Sequence, residues 1–537
     1  MGGGGGFDLK GLARARHQQG GGCPFSALVK GDAPTTSSGN GKVVARRGSE
    51  RRRPPGPPGG AFGREALRVV ASLTLDGVPK TTLKLAQEYG DAIAFENPVG
   101  LGDAAGWTFL SSPDDIEHVS ASNCNNYRER FLPDSYAFAT DGKGILATGG
   151  EYNRRHRSLC QPSFQKKSLL ASFADVVTES TEGLKRQWEE SAASCSGVDG
   201  VAIDLPLHMQ RLTLDIIGSV AFSHDFGQVA ECGREMRGEK SERPSTLVQA
   251  VNHFGEALAE VFVTPMPILR VLEAIRYPSV TKLRSSLGTI HSEMRTIIEG
   301  RRAEYESGTN HTDDLLDSLM RARDENGDPL TTQELFEDVH DIMGAGHETT
   351  ATTLSALIYS ITRHKHVMMK IKEELGRVLG GRVPTFEDLN ELEYTEMVVK
   401  EVLRLYPSIP IFPRVAAGDD YLPSGYYVPK GEVVFMSSYA MGRLDRLWED
   451  PEVFDPERFA PEMEAKRHRY AFVPFGAGPR MCLGAKFAML SLKLVTATLL
   501  QGDFDLEVCS PTDAVLDIDW DITMNFKKTN GIKVALR

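Results

Sequence analysis

FVPFGAGPRMCLG, residues 472–484, decides how the rest of the chain is read. It holds two aromatic residues, three glycines, one arginine and a single cysteine, Cys482. No second cysteine lies near enough for a CxxC pair, so a zinc knuckle is excluded. A lone thiol among glycines and an arginine needs an explanation from elsewhere in the sequence.

Working outward, composition narrows the classes. The chain has 537 residues, 41% hydrophobic and 25% charged, which fits a globular protein with a large core. A net charge of -12 argues against nucleic acid as a partner, since such proteins carry a basic face. The seven cysteines (Cys23, Cys124, Cys160, Cys195, Cys232, Cys482 and Cys509) follow no spacing pattern, which argues for a reducing compartment rather than a disulfide framework. Residues 1–60 are rich in Gly, Arg and Pro and poor in acids; they read either as a disordered tail or as a targeting peptide. Residues 61–537 read as one large domain. No run of eighteen apolar residues occurs, so no transmembrane anchor is expected, and at most peripheral membrane contact.

The domain reads as mainly α with small β-sheets, the β-like pieces including Tyr426–Val428 and Val433–Met436. The clearest helix starts at Thr331, with Glu334 at capping-box spacing, and apolar residues recur at helical period from Leu335 to Ile361. It should end near His364, about 34 residues and roughly 50 Å long. Its middle, GAGHETT (Gly344–Thr350), is unusual because each interior glycine costs about 1 kcal/mol relative to alanine. Such a helix either packs closely against something or is locally distorted. Next come Glu401 and Arg404, an i, i+3 pair, and then Pro407, Pro410 and Pro413, which end a helix and extend the chain. FDPERF (Phe454–Phe459) supplies Arg458.

These pieces, in this order and separated by about 50, 50 and 25 residues, resemble the cytochrome P-450 superfamily of haem-thiolate enzymes. Phe475, Gly476, Gly478, Arg480, Cys482 and Gly484 match its FGxGxRxCxG signature, and Ala345, Gly346, Glu348, Thr349 and Thr350 its AGx(D/E)T(T/S) helix motif. The resemblance covers roughly residues 65–537. It implies the cytochrome P-450 fold, with haem b (iron protoporphyrin IX) between the long central helix and the cysteine loop. Cys482 becomes the axial ligand of the iron, because a thiolate pushes electron density through the metal and favours O–O cleavage. Phe475 packs near the ligand loop, Gly476 and Gly484 let the backbone approach the sulfur and porphyrin, and Arg480 reaches a propionate. Arg157 and Arg414 are further propionate partners. Ala345 leaves room for dioxygen, with Thr349 and Glu348 as catalytic alcohol and acid. Glu401, Arg404 and Arg458 form a structural charge triad.

One departure stands out: where the family has WxxxR, this chain has Asn153 ahead of Arg157. His156 reads as a core or surface histidine rather than a second iron ligand. Candidate substrate contacts are Phe131, Leu132, Tyr136, Phe138, Phe254, Phe262, Ile409, Ile411 and Phe412, an apolar set that suits a lipid-like molecule and would equally suit a core.

The resemblance implies a monooxygenase that hydroxylates or epoxidises a carotenoid, fatty acid or similar lipid. Electrons would come from a reductase or ferredoxin. The stretches around residues 76–91 and 142–157 are faintly similar to the plastid carotenoid-hydroxylase branch, which makes an intracellular, plastid location an expectation. The alternative is a reductase-independent fatty-acid hydroperoxide isomerase or lyase (epoxyalcohol synthase, allene oxide synthase or hydroperoxide lyase type). The plant enzymes of that type carry an insertion in the cysteine loop and lack the distal threonine pair, and neither departure occurs here. Arg154, Arg155 and Lys486 are candidates for a basic docking face toward an acidic reductase.

Overall fold

The computed structural model describes residues 51–56, 77–95, 106–140, 144–194, 203–239, 246–262, 264–309, 312–501, 506–508, 518–520, 524–526 and 534–536. Six helices carry the argument: α1 Gly150–Cys160, α2 Lys167–Ser194, α3 Leu205–Phe222, α4 Thr332–Arg363, α5 Glu393–Leu405 and α6 Ala485–Leu500. The strands are few and short. β1 (Ala92–Phe95), β2 (Trp107–Leu110), β3 (Ile411–Val415) and β6 (Val433–Ser437) form a four-stranded sheet in the order β1-β2-β6-β3, while β4 (Asp420–Tyr421) pairs with β5 (Tyr427–Val428). β2 and β6 run parallel and the other neighbours antiparallel, so Arg414 on β3 stands opposite Val434 on β6.

Helix α4 forms as the sequence predicts. The Thr331 side chain accepts from the Glu334 amide and Glu334 reaches back to the Thr331 N–H, completing the capping box; the helix then runs 32 residues to a C-cap at His364. It is a continuous α-helix through its glycines, so close packing rather than distortion accounts for Gly346. A Cβ there would meet Ile217 Cδ1 of α3 at 3.2 Å, whereas Gly344 has open space. Helix α6 is apolar all round and buried almost throughout, the mark of a core helix. Its one buried cation, Lys493, pairs with Glu396 Oε2 at 2.9 Å. Leu212 of α3, Leu357 and Ile361 of α4, Val399 of α5 and Leu494 of α6 belong to one core cluster.

Part of the segment that composition groups as 1–60 is among the described residues. Arg51–Gly56 already lie against the sheet: Tyr427 N donates to Arg52 O (2.8 Å), Ala94 N to Pro55 O (3.0 Å), and Arg53 Nη2 pairs with the buried Glu432 at 2.6 Å. Charge pairing and backbone pairing, with Pro54 buried among them, hold this arginine-rich segment, and composition alone groups it with the tail. Residues 1–50, with their targeting reading and Cys23, lie outside the described residues, as do Cys195 and Cys509. Cys124, Cys160, Cys232 and Cys482 are free thiols. Among the described residues no helix is long and apolar enough to cross a membrane.

Candidate functional site

The cysteine loop is shaped by two glycines with left-handed backbone, Gly476 (φ 68°) and Gly478 (φ 65°). Gly478 also lies so close to the Ser120 carbonyl that a Cβ would sit 1.8 Å from its oxygen. The loop closes where Cys482 N donates to Phe475 O at 2.9 Å and Gly476 N to Val473 O at 3.0 Å. Phe475 itself packs against the main core cluster. Two residues beyond Cys482 comes Gly484, the N-cap of α6. Its amide is hydrogen-bonded to the sulfur, and the positive end of a 16-residue helix favours a thiolate there.

Burial pushes the Cys482 thiol up, while the Gly484 amide and the guanidinium groups of Arg130 and Arg157 pull it back down. The residue nevertheless keeps a solvent-accessible surface. Protein groups crowd it enough to desolvate the sulfur while the residue stays exposed, which is compatible with an axial ligand to a bulky group.

Around this cysteine the structure gathers four arginines. Arg157 Nη2 donates to Met481 O (2.7 Å), Arg480 Nη2 to Thr148 O (2.8 Å), and Arg130 to Leu146 O (3.0 Å) and Arg480 O (3.4 Å). Arg414 is buried on β3 and donates to Pro413 O (2.7 Å). Burial depresses all four, and neighbouring guanidinium charges add to this at Arg130, Arg414 and Arg480: Arg414 is pushed down to about 9 and Arg480 to about 8. The carboxylates that act on the cluster are Glu129, toward Arg480, and Asp341, toward Arg130. The buried Arg480 Nε has no partner among the described residues. Guanidinium groups held together with an idle buried donor need an anion. The carboxylates of a bound group would fit that need.

On α4, Gly344 and Ala345 are exposed although the helix is buried before and beyond them. The Thr349 hydroxyl donates to Ala345 O at 2.7 Å, so alcohol and open backbone share one turn, with Glu348 beside them. His347 points away into α3, where Thr213 Oγ1 meets its Nδ1 (3.0 Å) and its carbonyl (3.1 Å). Burial holds His347 down to about 4, so it is neutral at ordinary pH.

The sequence-level site residues divide accordingly. Cys482, Arg480, Arg157 and Arg414 come together with Phe475, Gly476 and Gly484. Ala345, Glu348 and Thr349 share the open turn of α4. Asn153 does not join the arginines: buried, it donates to Ile145 O at 2.7 Å and so braces the 144–149 turn. His156 is a core residue, fully buried with Nδ1 2.7 Å from Asp338 Oδ2. The substrate candidates scatter. Phe131 and Ile411 share one apolar cluster, Phe138 and Phe254 another, and Phe412 packs in a third; the Phe262 side chain lies outside the described residues. Of the docking candidates, Arg155 is tied to Asp324 (2.7 Å) and Glu334 (2.8 Å). Arg130 and Asp341 went unnoticed in the sequence. Arg130 sits in YRERF, which matches none of the motifs, and no spacing links Asp341 to it.

The cytochrome P450 family profile matches residues 82–534. The chain belongs to the cytochrome P450 family. Cytochrome P450 4F2 of Homo sapiens is 30% identical over 420 residues, spanning 75% of this chain and 76% of the relative. Cytochrome P450 4A10 of Rattus norvegicus is 31% identical over 405 residues (74% and 75%). Leukotriene-B4 omega-hydroxylase 3 of Mus musculus is 28% identical over 373 residues (67% and 68%). As a cytochrome P450, the chain is a haem-thiolate oxidoreductase of the monooxygenase type.

Proposed function

We propose that this cytochrome P450 holds haem b through Cys482 and hydroxylates an apolar, fatty-acyl type of lipid, using dioxygen and electrons from a separate reductase or ferredoxin. The observation that carries the cofactor assignment is the arginine cluster beside an accessible cysteine, with the Arg480 Nε idle. Arg480, Arg414 and Arg157 would bind the haem propionates, and the Gly484 amide, bonded to the sulfur, would hold Cys482 for ligation. When bound, thiolate-ligated haem iron supplies the activation of oxygen.

The chain's own part in catalysis falls to α4. Gly344 and Ala345 present backbone without bulk, which keeps the space over that turn free. The Thr349 hydroxyl, parked on Ala345 O, is one rotation from pointing into that space, and Glu348 is the adjacent acid from which it can be resupplied with a proton. What supports a lipid substrate is the name of the murine relative, a leukotriene-B4 omega-hydroxylase.

The full-length enzyme, with NADPH and a reductase, is offered long-chain fatty acids, a carotenoid, and a fatty-acid hydroperoxide. Reductase-dependent hydroxylation of the fatty acids is expected. Fast conversion of the hydroperoxide without reductase, and inertness toward the rest, would overturn the proposal in favour of an isomerase or lyase.

A further inference from the structure

Between α4 and the cysteine loop runs a turn, residues 144–149, whose backbone holds two of the four arginines, Arg130 and Arg480. Its Leu146 carbonyl accepts from Arg130, its Thr148 carbonyl from Arg480, and its Ile145 carbonyl from Asn153. The turn must therefore itself be fixed, and one side chain fixes it from the helix. Asp341 Oδ2 accepts the Leu146 N–H at 2.7 Å, and the carboxyl is buried. Gly144 marks the same contact: a Cβ there would come within 2.3 Å of Asp341 Oδ2 and 2.5 Å of the Glu337 carbonyl oxygen. Only glycine lets the chain pass this close to α4.

We infer that Asp341 is a positioning residue, which by clamping the Gly144–Gly149 turn onto α4 sets how firmly Arg130 and Arg480 grip the anionic edge of the cofactor. The inference rests on the haem reading above. It adds that the grip is governed from a residue one turn before Ala345, so the helix bearing Glu348 and Thr349 and the cluster that anchors the cofactor move as one unit. Neither cysteine-loop nor central-helix motif includes Asp341. Its carboxyl also faces the charge of Arg130, and lies 4.0 Å from His340 Nδ1. A simple charge effect is therefore the competing account.

The test measures the rate at which haem leaves the full-length holoenzyme for excess apomyoglobin, in wild type, Asp341→Ala, Asp341→Asn and Gly144→Ala. Asparagine keeps an oxygen for the Leu146 amide but removes the charge. Haem loss should quicken roughly tenfold or more in Asp341→Ala and Gly144→Ala, the scale on which outer-shell partners act, and stay within about threefold of wild type in Asp341→Asn. Hydrogen exchange over residues 144–149 should rise in the first two variants only. If Asp341→Ala does not fold, Asp341→Ser, too short to reach the amide, takes its place. Wild-type rates in the alanine or serine variant, or equal damage from asparagine, overturn the inference. A wild-type protein that takes up no haem would instead overturn the cofactor reading, a distinguishable failure.

Discussion

Arg404 uses every donor it has on protein partners, and the buried Glu401 is the centre of them. Nε and Nη2 of Arg404 each lie 2.7 Å from a Glu401 oxygen, with both side chains fully buried, and the remaining bonds run to the carbonyls of Gly442 (2.5 Å), Pro451 (2.6 Å) and Val453 (3.2 Å). Arg458 stands outside this fork, its Nε 3.6 Å from Glu401, while the Asp455 amide takes the closer place at 2.7 Å. The pair thus staples α5 to the 442–455 segment.

Removing one member of a buried, fully bonded pair leaves an uncompensated charge, worth about 3–5 kcal/mol. Glu401→Ala and Arg404→Ala should therefore unfold at much lower denaturant or fail to accumulate. Arg458→Ala should cost clearly less. Chemical denaturation followed by circular dichroism checks the ranking, and equal losses in all three would contradict it.

Arg480 predicts a graded effect on cofactor affinity. Arg480→Leu removes a charge-assisted bond worth about 1.5–3 kcal/mol, hence about tenfold or more in haem affinity. Arg480→Lys should recover part of this, because an ammonium restores charge but not the planar fork. Haem titration of the purified apoproteins measures both. An affinity unchanged in the leucine variant would mean that Arg480 does not touch the cofactor.

Two buried histidines make the fold acid-sensitive. His347 and His340 are each held down to about 4 by burial, against an ordinary 6.5. Folded protein stays neutral there while unfolded chain takes up protons, so stability is intact above about pH 6.5 and lost progressively as pH falls toward 4. For His347 the loss is on the order of 2–3 kcal/mol. His347→Gln, which can keep a bond to Thr213, should flatten that fall in denaturation midpoints between pH 7 and 4.5. A variant with the same pH slope as wild type would contradict the assignment.

How much of this was readable beforehand depends on whether residues speak through neighbours in sequence. The α4 capping box, its end at His364 and the strand at Val433 follow from local chemistry, and the sequence announces them. Cys482, Arg480 and Thr349 were legible because the family spaces them in fixed motifs. Arg130, Asp341 and the 144–149 turn were not: Arg130 and Asp341 both bond backbone groups of the turn, which every residue type carries, and Asp341 lies 195 residues from its partner Leu146. Arg53 misled for a related reason: its partner Glu432 lies hundreds of residues on, so the basic run read as a tail.

Thr349→Ala should leave binding intact but spoil coupling. With the hydroxyl gone, the proton transfer proposed for Glu348 and Thr349 would fail, and more hydrogen peroxide should be released per dioxygen consumed in the reductase-driven reaction. Parallel measurement of oxygen uptake, peroxide and hydroxylated product decides it. Unchanged coupling would remove Thr349 from the catalytic machinery.

The most direct test of the whole account is the carbon-monoxide difference spectrum of reduced, haem-loaded Cys482→Ser beside wild type. Wild type should show the red-shifted band of thiolate-ligated haem, and the serine variant should lack it. A variant that keeps the band would mean that another sulfur holds the iron.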